Sequence, residues 1–262
     1  MVAGTAQRLC LRLARPWSFG QRLNHAAKHP AVSVYVCLNC YVYRMDSKFG
    51  RDPSHFALTS SYLLPLERFK GGKNKGSYKL QPDGAVVYTC FTSDFFLEDA
   101  DQFRMAAWQA IRARPDLHFY IPTKRIHRFP DCIPPDWAGG YENVTIACTT
   151  ENQAMADKRL PLFASLPIQH REIIVEPILG HMDIRAHLSG IEHVIVGGES
   201  GDDARVCDFQ WILALRRQCE DAHVPFWFKQ TGARFINERK ILVNVPRMRQ
   251  QYLADRYRLN LA

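Results

Sequence analysis

Six short apolar runs, each ending in polar residues and each separated from the next by room for a crossover, constrain this chain more than any other feature. They are "AVVYTCFTSD" (85–94), "LHFYIPTK" (117–124), "NVTIACTTEN" (143–152), "REIIVEP" (171–177), "EHVIVGGES" (192–200) and "VPFWFKQTG" (224–232). Each is β-branched or aromatic and continuous rather than alternating, as a strand buried on both faces should be. After the first comes "EDADQFRMAAWQAIRARP", with Phe103, Ala107 and Ile111 on one helical face, acids in its first turn and Arg112, Arg114 and Pro115 at its end. Before the last comes "CDFQWILALRRQCEDAH", with Ile212, Leu215, Cys219 and Ala222 on one face behind an Asp208 N-cap. Strands alternating with helices predict an α/β fold with a parallel sheet, either doubly wound or curved into a barrel. Pro122 cannot donate to a ladder and is expected where its strand is ending.

The polar ends of the strands point to the site. In parallel α/β folds the carboxyl ends of the strands line the ligand cavity, and a cavity assembled from many strands suits a barrel. Asp94, Lys124, Glu151, Glu176, Glu199 and Lys229 are therefore expected on one rim, with Asp94, Glu151, Gly197, Gly198, Glu199 and Lys229 as cofactor-binding candidates and Glu176, Glu199 and Lys124 as catalytic ones. The glycines of "GGES" let a ligand approach the backbone, and Glu199 can hold an ammonium, against the alternative of a tight turn with an exposed glutamate. For Lys124 and Lys229, anchoring a carboxylate or phosphate competes with a salt bridge to Glu176 or Glu151; Asp94, Glu151 and Asp208 compete as helix caps.

With 262 residues, 47% of them hydrophobic and 23% charged, the chain can bury one large core. No apolar run approaches the roughly 18 residues of a membrane span, so a cytoplasmic protein without membrane contact is expected. Its eight cysteines are thinly spread, which fits a reducing compartment rather than a disulfide framework. The net charge of +8 is uneven: residues 1–31 carry five bases and no acid, the composition of a transit peptide or a basic arm. The stretch 60–85, with "KGGKNKGSYKLQPDG", reads as a hairpin or loose connection whose lysines are solvated.

Cys37 and Cys40, in "YVCLNCYVYRMDSKFGRD", are the candidate metal ligands. A thioredoxin-type dithiol would belong to a shorter, mixed-sheet domain, and His25, His29 and His55 follow no zinc-ribbon rhythm. That leaves a cysteine-poor cluster at the mouth of an α/β barrel, or a pair without metal.

Taken in order, "CLNCYVYRMDSKFGRD", "VVYTCFTSDFFLEDAD", "FYIPTKRIHRF", "NVTIACTTENQ", "IVEPIL" and "HVIVGGESGDDARVCDFQW…FWFKQTGA" resemble the blocks of a phage-associated domain of unknown function with a three-cysteine motif, itself similar to radical S-adenosylmethionine enzymes. The likeness runs from Cys37 to Ala233. It implies a partial (βα) barrel, TIM-barrel-like, over residues 37–235, an atypical basic arm over 1–36 and a C-terminal tail over 236–262. It further implies a [4Fe–4S] cluster, S-adenosylmethionine as cofactor, and a phage or defence-system partner protein, with the substrate unknown. Where such a family has its first cysteine this chain has Pro30, so the cluster is expected to be labile or missing and the protein an inactive copy. Two other functions stand beside it: a non-catalytic ligand-binding or nucleic-acid-associated protein on the same fold, and a metal-independent barrel enzyme with Glu176 or Glu199 as acid or base.

Overall fold

The computed structural model describes residues 15–17, 20–21, 50, 57–58, 62–84, 86–90, 93–237 and 240–262. Cys10, Pro30, Cys37 and Cys40 lie outside the described residues. The chain forms two compact units, the first built from Met1–Asn24, Asp52–Ile146 and Pro167–His170, the second from His25–Arg51, Ala147–Leu166 and Arg171–Ala262.

In the first unit β1 (Arg15–Trp17) runs parallel to β4 (Val86–Thr89), which runs parallel to β5 (His118–Thr123), while β2 (Gly20–Gln21) and β3 (Ala57–Leu58) make a small antiparallel pair. β1 falls in a stretch whose periodicity indicates no strand. Pro122 is the penultimate residue of β5, where the strand is ending, and its missing N–H costs β4 nothing, because the register between the two strands stops at Tyr120. The lysine-rich stretch is a hairpin: Arg68 bridges Tyr78, and Phe69 N–H donates to Ser77 at 3.0 Å.

Helix α1 (Asp101–Arg112) buries Ala107, Trp108, Ala110 and Ile111, with an acid in its first turn and a base in its last. Its Trp108 packs edge-on to Phe95 and against Trp137; short α2 (Phe129–Cys132) adds Phe129 to this aromatic core. Both buried indoles satisfy their N–H on carbonyls, Trp108 on Cys132 and Trp137 on Pro167, each at 2.7 Å.

β6 (Val144–Thr149) is buried along its whole length and contributes residues to both units. The first unit's strands run in the order β1-β4-β5-β6; those of the second run β6, β7 (His170–Val175), β8 (His193–Gly197), β10 (Phe226–Gln230). β7–β8 and β8–β10 are parallel, so the expected α/β fold with a parallel sheet is present and all six anticipated runs are strands.

Two helices of the second unit start as their sequences require. The Asn152 side chain accepts from Met155 N–H at 3.0 Å to open α3 (Gln153–Ser165). Asp208 accepts from Gln210 N–H at 2.8 Å to open α4 (Phe209–Asp221), whose Ile212, Leu215 and Cys219 are fully buried. Beyond them β9 (Cys207–Asp208), β11 (Phe235–Asn237) and β12 (Lys240–Leu242) form a three-stranded sheet, and α5 (Arg247–Arg256) packs on β10. Among the described residues no helix is long and apolar enough to cross a membrane.

Candidate functional site at the carboxyl ends of the strands

The strand-end candidates separate by unit and by environment. In the first unit Asp94 is 3% exposed, and its carboxylate is taken up by the fold. One oxygen accepts from Phe96 N–H at 3.0 Å and from the Thr123 hydroxyl at 2.8 Å; the other accepts from Lys124 N–H at 2.9 Å, with Arg125 3.8 Å away. Asp94 thus ties the end of β4 to the end of β5 and is no helix cap. It reaches Lys124 through that residue's backbone.

In the second unit Glu151 is wholly buried and paired with Arg159 at 2.9 Å; Arg159 also donates to the Thr149 carbonyl at 2.6 Å. This pair pins the middle of α3 to the end of β6. Glu199, 8% exposed, accepts from Arg205 through both carboxylate oxygens and also from Arg205 N–H at 2.8 Å. That clamp closes the loop from 200 to 205 and engages the carboxylate that was expected to hold a ligand's ammonium.

Glu176 and Lys229 differ. Glu176 follows β7, Lys229 lies in β10, and their charged ends meet at 2.7 Å with side chains 20% and 26% exposed. Of the two readings for Lys229, the salt bridge to Glu176 is the one present. Gln230 holds the carboxylate in place, donating to Glu176 at 2.7 Å and to the Gly198 carbonyl at 2.9 Å. The floor beneath is backbone: Ile178 N–H donates to Gly197 at 2.9 Å, Leu179 N–H to Glu151 at 2.8 Å, and Gly198 N–H to Gln230 at 3.0 Å.

Gly197 and Gly198 are glycines for steric reasons. A Cβ on Gly197 would lie 3.1 Å from both the Glu176 carboxylate and Gln230 Cγ, and one on Gly198 would lie 2.3 Å from the Thr231 carbonyl oxygen. The two glycines let the turn after β8 pass directly under the turn after β10. Beside it a hollow of about 280 Å³ opens between Ser200, Gly201, Asn244, Pro246 and Gln250.

The sequence pointed to the carboxylates but not to the side chains that control them. Arg159, Arg205 and Gln230 were legible only as a helix residue, a loop residue and a strand end. Their pairing depends on how the chain folds back.

No described cysteine belongs to this site. Cys90, Cys132, Cys148, Cys207 and Cys219 are buried. Burial pushes the thiols of Cys132 and Cys207 up, and that of Cys219 up to about 12, so these are packing residues rather than thiolates. Among the described residues no group of three or more His, Cys, Asp and Glu could hold a metal ion.

Comparison with known proteins gives one match: the family model described as "Protein of unknown function (DUF5131)" covers residues 31–254. No curated protein and no solved structure matches the chain.

Proposed function

For a chain that belongs to the DUF5131 family, a family of unknown function, we propose the binding of a small molecule with an α-amino-carboxylate group, S-adenosylmethionine in the radical-enzyme reading, at the strand ends of a partial (βα) barrel. The observation that carries this reading is the Glu176–Lys229 pair, 2.7 Å apart and partly open to solvent. Opposite charges at that spacing complement a zwitterion, whose ammonium takes Glu176 and whose carboxylate takes Lys229. Gln230 pre-orients the acceptor, so little side-chain freedom is lost on binding. The Glu151–Arg159 and Glu199–Arg205 pairs suit this role less, since each is already engaged in holding a loop or helix.

The cluster of the radical reading does not fit the thiols of this chain. Cys37 and Cys40 are two ligands where three are needed, Pro30 stands in place of the third, and the described cysteines are buried. The proposed activity is therefore retention of the cofactor pocket without radical cleavage. The acid–base alternative is weaker: Glu176 is paired with the Lys229 ammonium and Glu199 with the Arg205 guanidinium, so neither carboxylate is presented to a substrate without its partner.

Calorimetric titration with S-adenosylmethionine, S-adenosylhomocysteine and methionine tests the reading. Lys229→Met and Glu176→Gln are each expected to weaken binding by about 10- to 100-fold, the loss of one charge-assisted hydrogen bond of about 1.5–3 kcal/mol. No binding by the unaltered chain, or binding indifferent to both substitutions, overturns it. Anaerobic iron–sulfide reconstitution of the unaltered chain and of Pro30→Cys separately tests the missing ligand, with higher iron content expected in the variant.

A further inference from the structure

Residues 234–258 hold seven Lys and Arg against two acids, whereas residues 32–233 hold 22 against 24. The net positive charge of residues 32–262 thus comes from the segment carrying β12 and α5. α5 turns Gln250 and Ala254 inward and leaves Met248, Arg249, Tyr252 and Arg256 open to solvent. Arg249, Tyr252 and Arg256 stand three and four residues apart and so form one stripe, with the Arg256 guanidinium 5.9 Å from the centre of the Tyr252 ring.

Two further features separate this face from an ordinary solvated helix. Lys240, Arg247, Arg249 and Arg258 make no ion pair among the described residues, whereas the exposed Arg112 and Arg185 and the half-buried Arg216 each pair with a carboxylate. Of the seven large hydrophobic side chains exposed among the described residues, Ile241, Val243, Met248 and Tyr252 fall in this one segment; Met248 is 88% and Tyr252 59% exposed. A purely solvated basic face has no use for exposed aromatic and aliphatic groups. Cations spaced for phosphates around an open aromatic ring suit a flexible polyanion with stackable bases.

We propose that the exposed face of α5, with the adjoining β12, is a docking surface for single-stranded nucleic acid, independent of the small-molecule site. Arg249 and Arg256 take backbone phosphates, Tyr252 stacks on a base, and Met248 covers its flank.

The test is fluorescence anisotropy of the full chain with labelled oligo-dT and oligo-U of about 20 nucleotides, between about 50 and 200 mM salt. If three to four phosphates are neutralised, log K falls with log[salt] at a slope of about −2 to −3, and Arg249→Ala/Arg256→Ala lowers that slope by about 1.4. Tyr252→Ala weakens binding by about tenfold or more and leaves the slope unchanged, because stacking releases no counterion. Equal melting temperatures establish that the variants are folded. No binding at the lowest salt, tighter binding to duplex of the same sequence, or a Tyr252→Ala variant with unaltered affinity overturns the proposal. So does equal competition by heparin or an acidic peptide, which would show indiscriminate attraction to polyanions.

Discussion

Gly198→Ala is the sharpest test of how the strand-end site is built. The new Cβ would sit 2.3 Å from the Thr231 carbonyl oxygen and 2.7 Å from its carbon, both backbone atoms that no side-chain rotation can move. Reaching ordinary contact means opening the two turns by about 1 Å. Two backbone hydrogen bonds cross that gap, Gly198 N–H to Gln230 at 3.0 Å and Ala233 N–H to Glu199 at 2.7 Å, beside the Gln230 side-chain bond to the Gly198 carbonyl. Losing or stretching both costs about 1 kcal/mol each, and residual overpacking adds about 1–3. The smaller entropy of an alanine in the unfolded chain offsets about half a kilocalorie. The expected net loss is about 2.5–4.5 kcal/mol, read from urea unfolding at neutral pH. Gly197→Ala is the control: its Cβ meets only side-chain atoms of Gln230 and Glu176, at 3.1 Å, so it should cost about 1 kcal/mol while weakening zwitterion binding. Equal stability of the two variants, or a Gly198→Ala chain within about half a kilocalorie of the unaltered one, refutes the close-approach argument.

Burial pushes His193 down to about 4, so the folded state resists protonation that the unfolded chain accepts. Its contribution is present above pH 6.5 and is lost as the pH falls toward 4; the full shift is worth about 3 kcal/mol, and a ring 22% exposed with Glu172 at 4.0 Å should show about 1–2 of it. Unfolding free energies at pH 7.5 and 4.5 should differ by that much more in the unaltered chain than in His193→Gln, and parallel profiles would count against the assignment. Glu151→Ala should cost about 3–5 kcal/mol, since it leaves the buried Arg159 guanidinium short of its partner, while adding Arg159→Met should restore part of the loss. A double variant less stable than the single one would refute the pairing argument. Of the eight thiols, no more than three should react quickly with a maleimide in the native protein and all eight after unfolding; fast reaction of a fourth would mean that one of the five buried cysteines is accessible.

What the sequence determined by itself is the set of elements and their direction. Continuous β-branched runs such as "NVTIACT" are buried on both faces, and local signals such as Asp208 before a helical face specify a start, so strands and caps are legible from neighbours a few residues apart. The polar ends were legible for the same reason, because a parallel strand must emerge from the core at its carboxyl end. Which of those ends is engaged and which is open depends on pairings that the local pattern does not reveal. Glu199 is held by Arg205 and Glu151 by Arg159, whereas Glu176 meets Lys229, 53 residues away. The C-terminal segment over 236–262 was expected as a tail, and it carries β12 and α5. Its helix buries only Gln250 and Ala254 and carries no apolar stripe, so its place on β10 comes from packing and from contacts such as the Gln250 side chain with Ser200 and Val245. Periodicity records what a segment buries against the core, and only the tertiary fold decides which charges are left to face solvent.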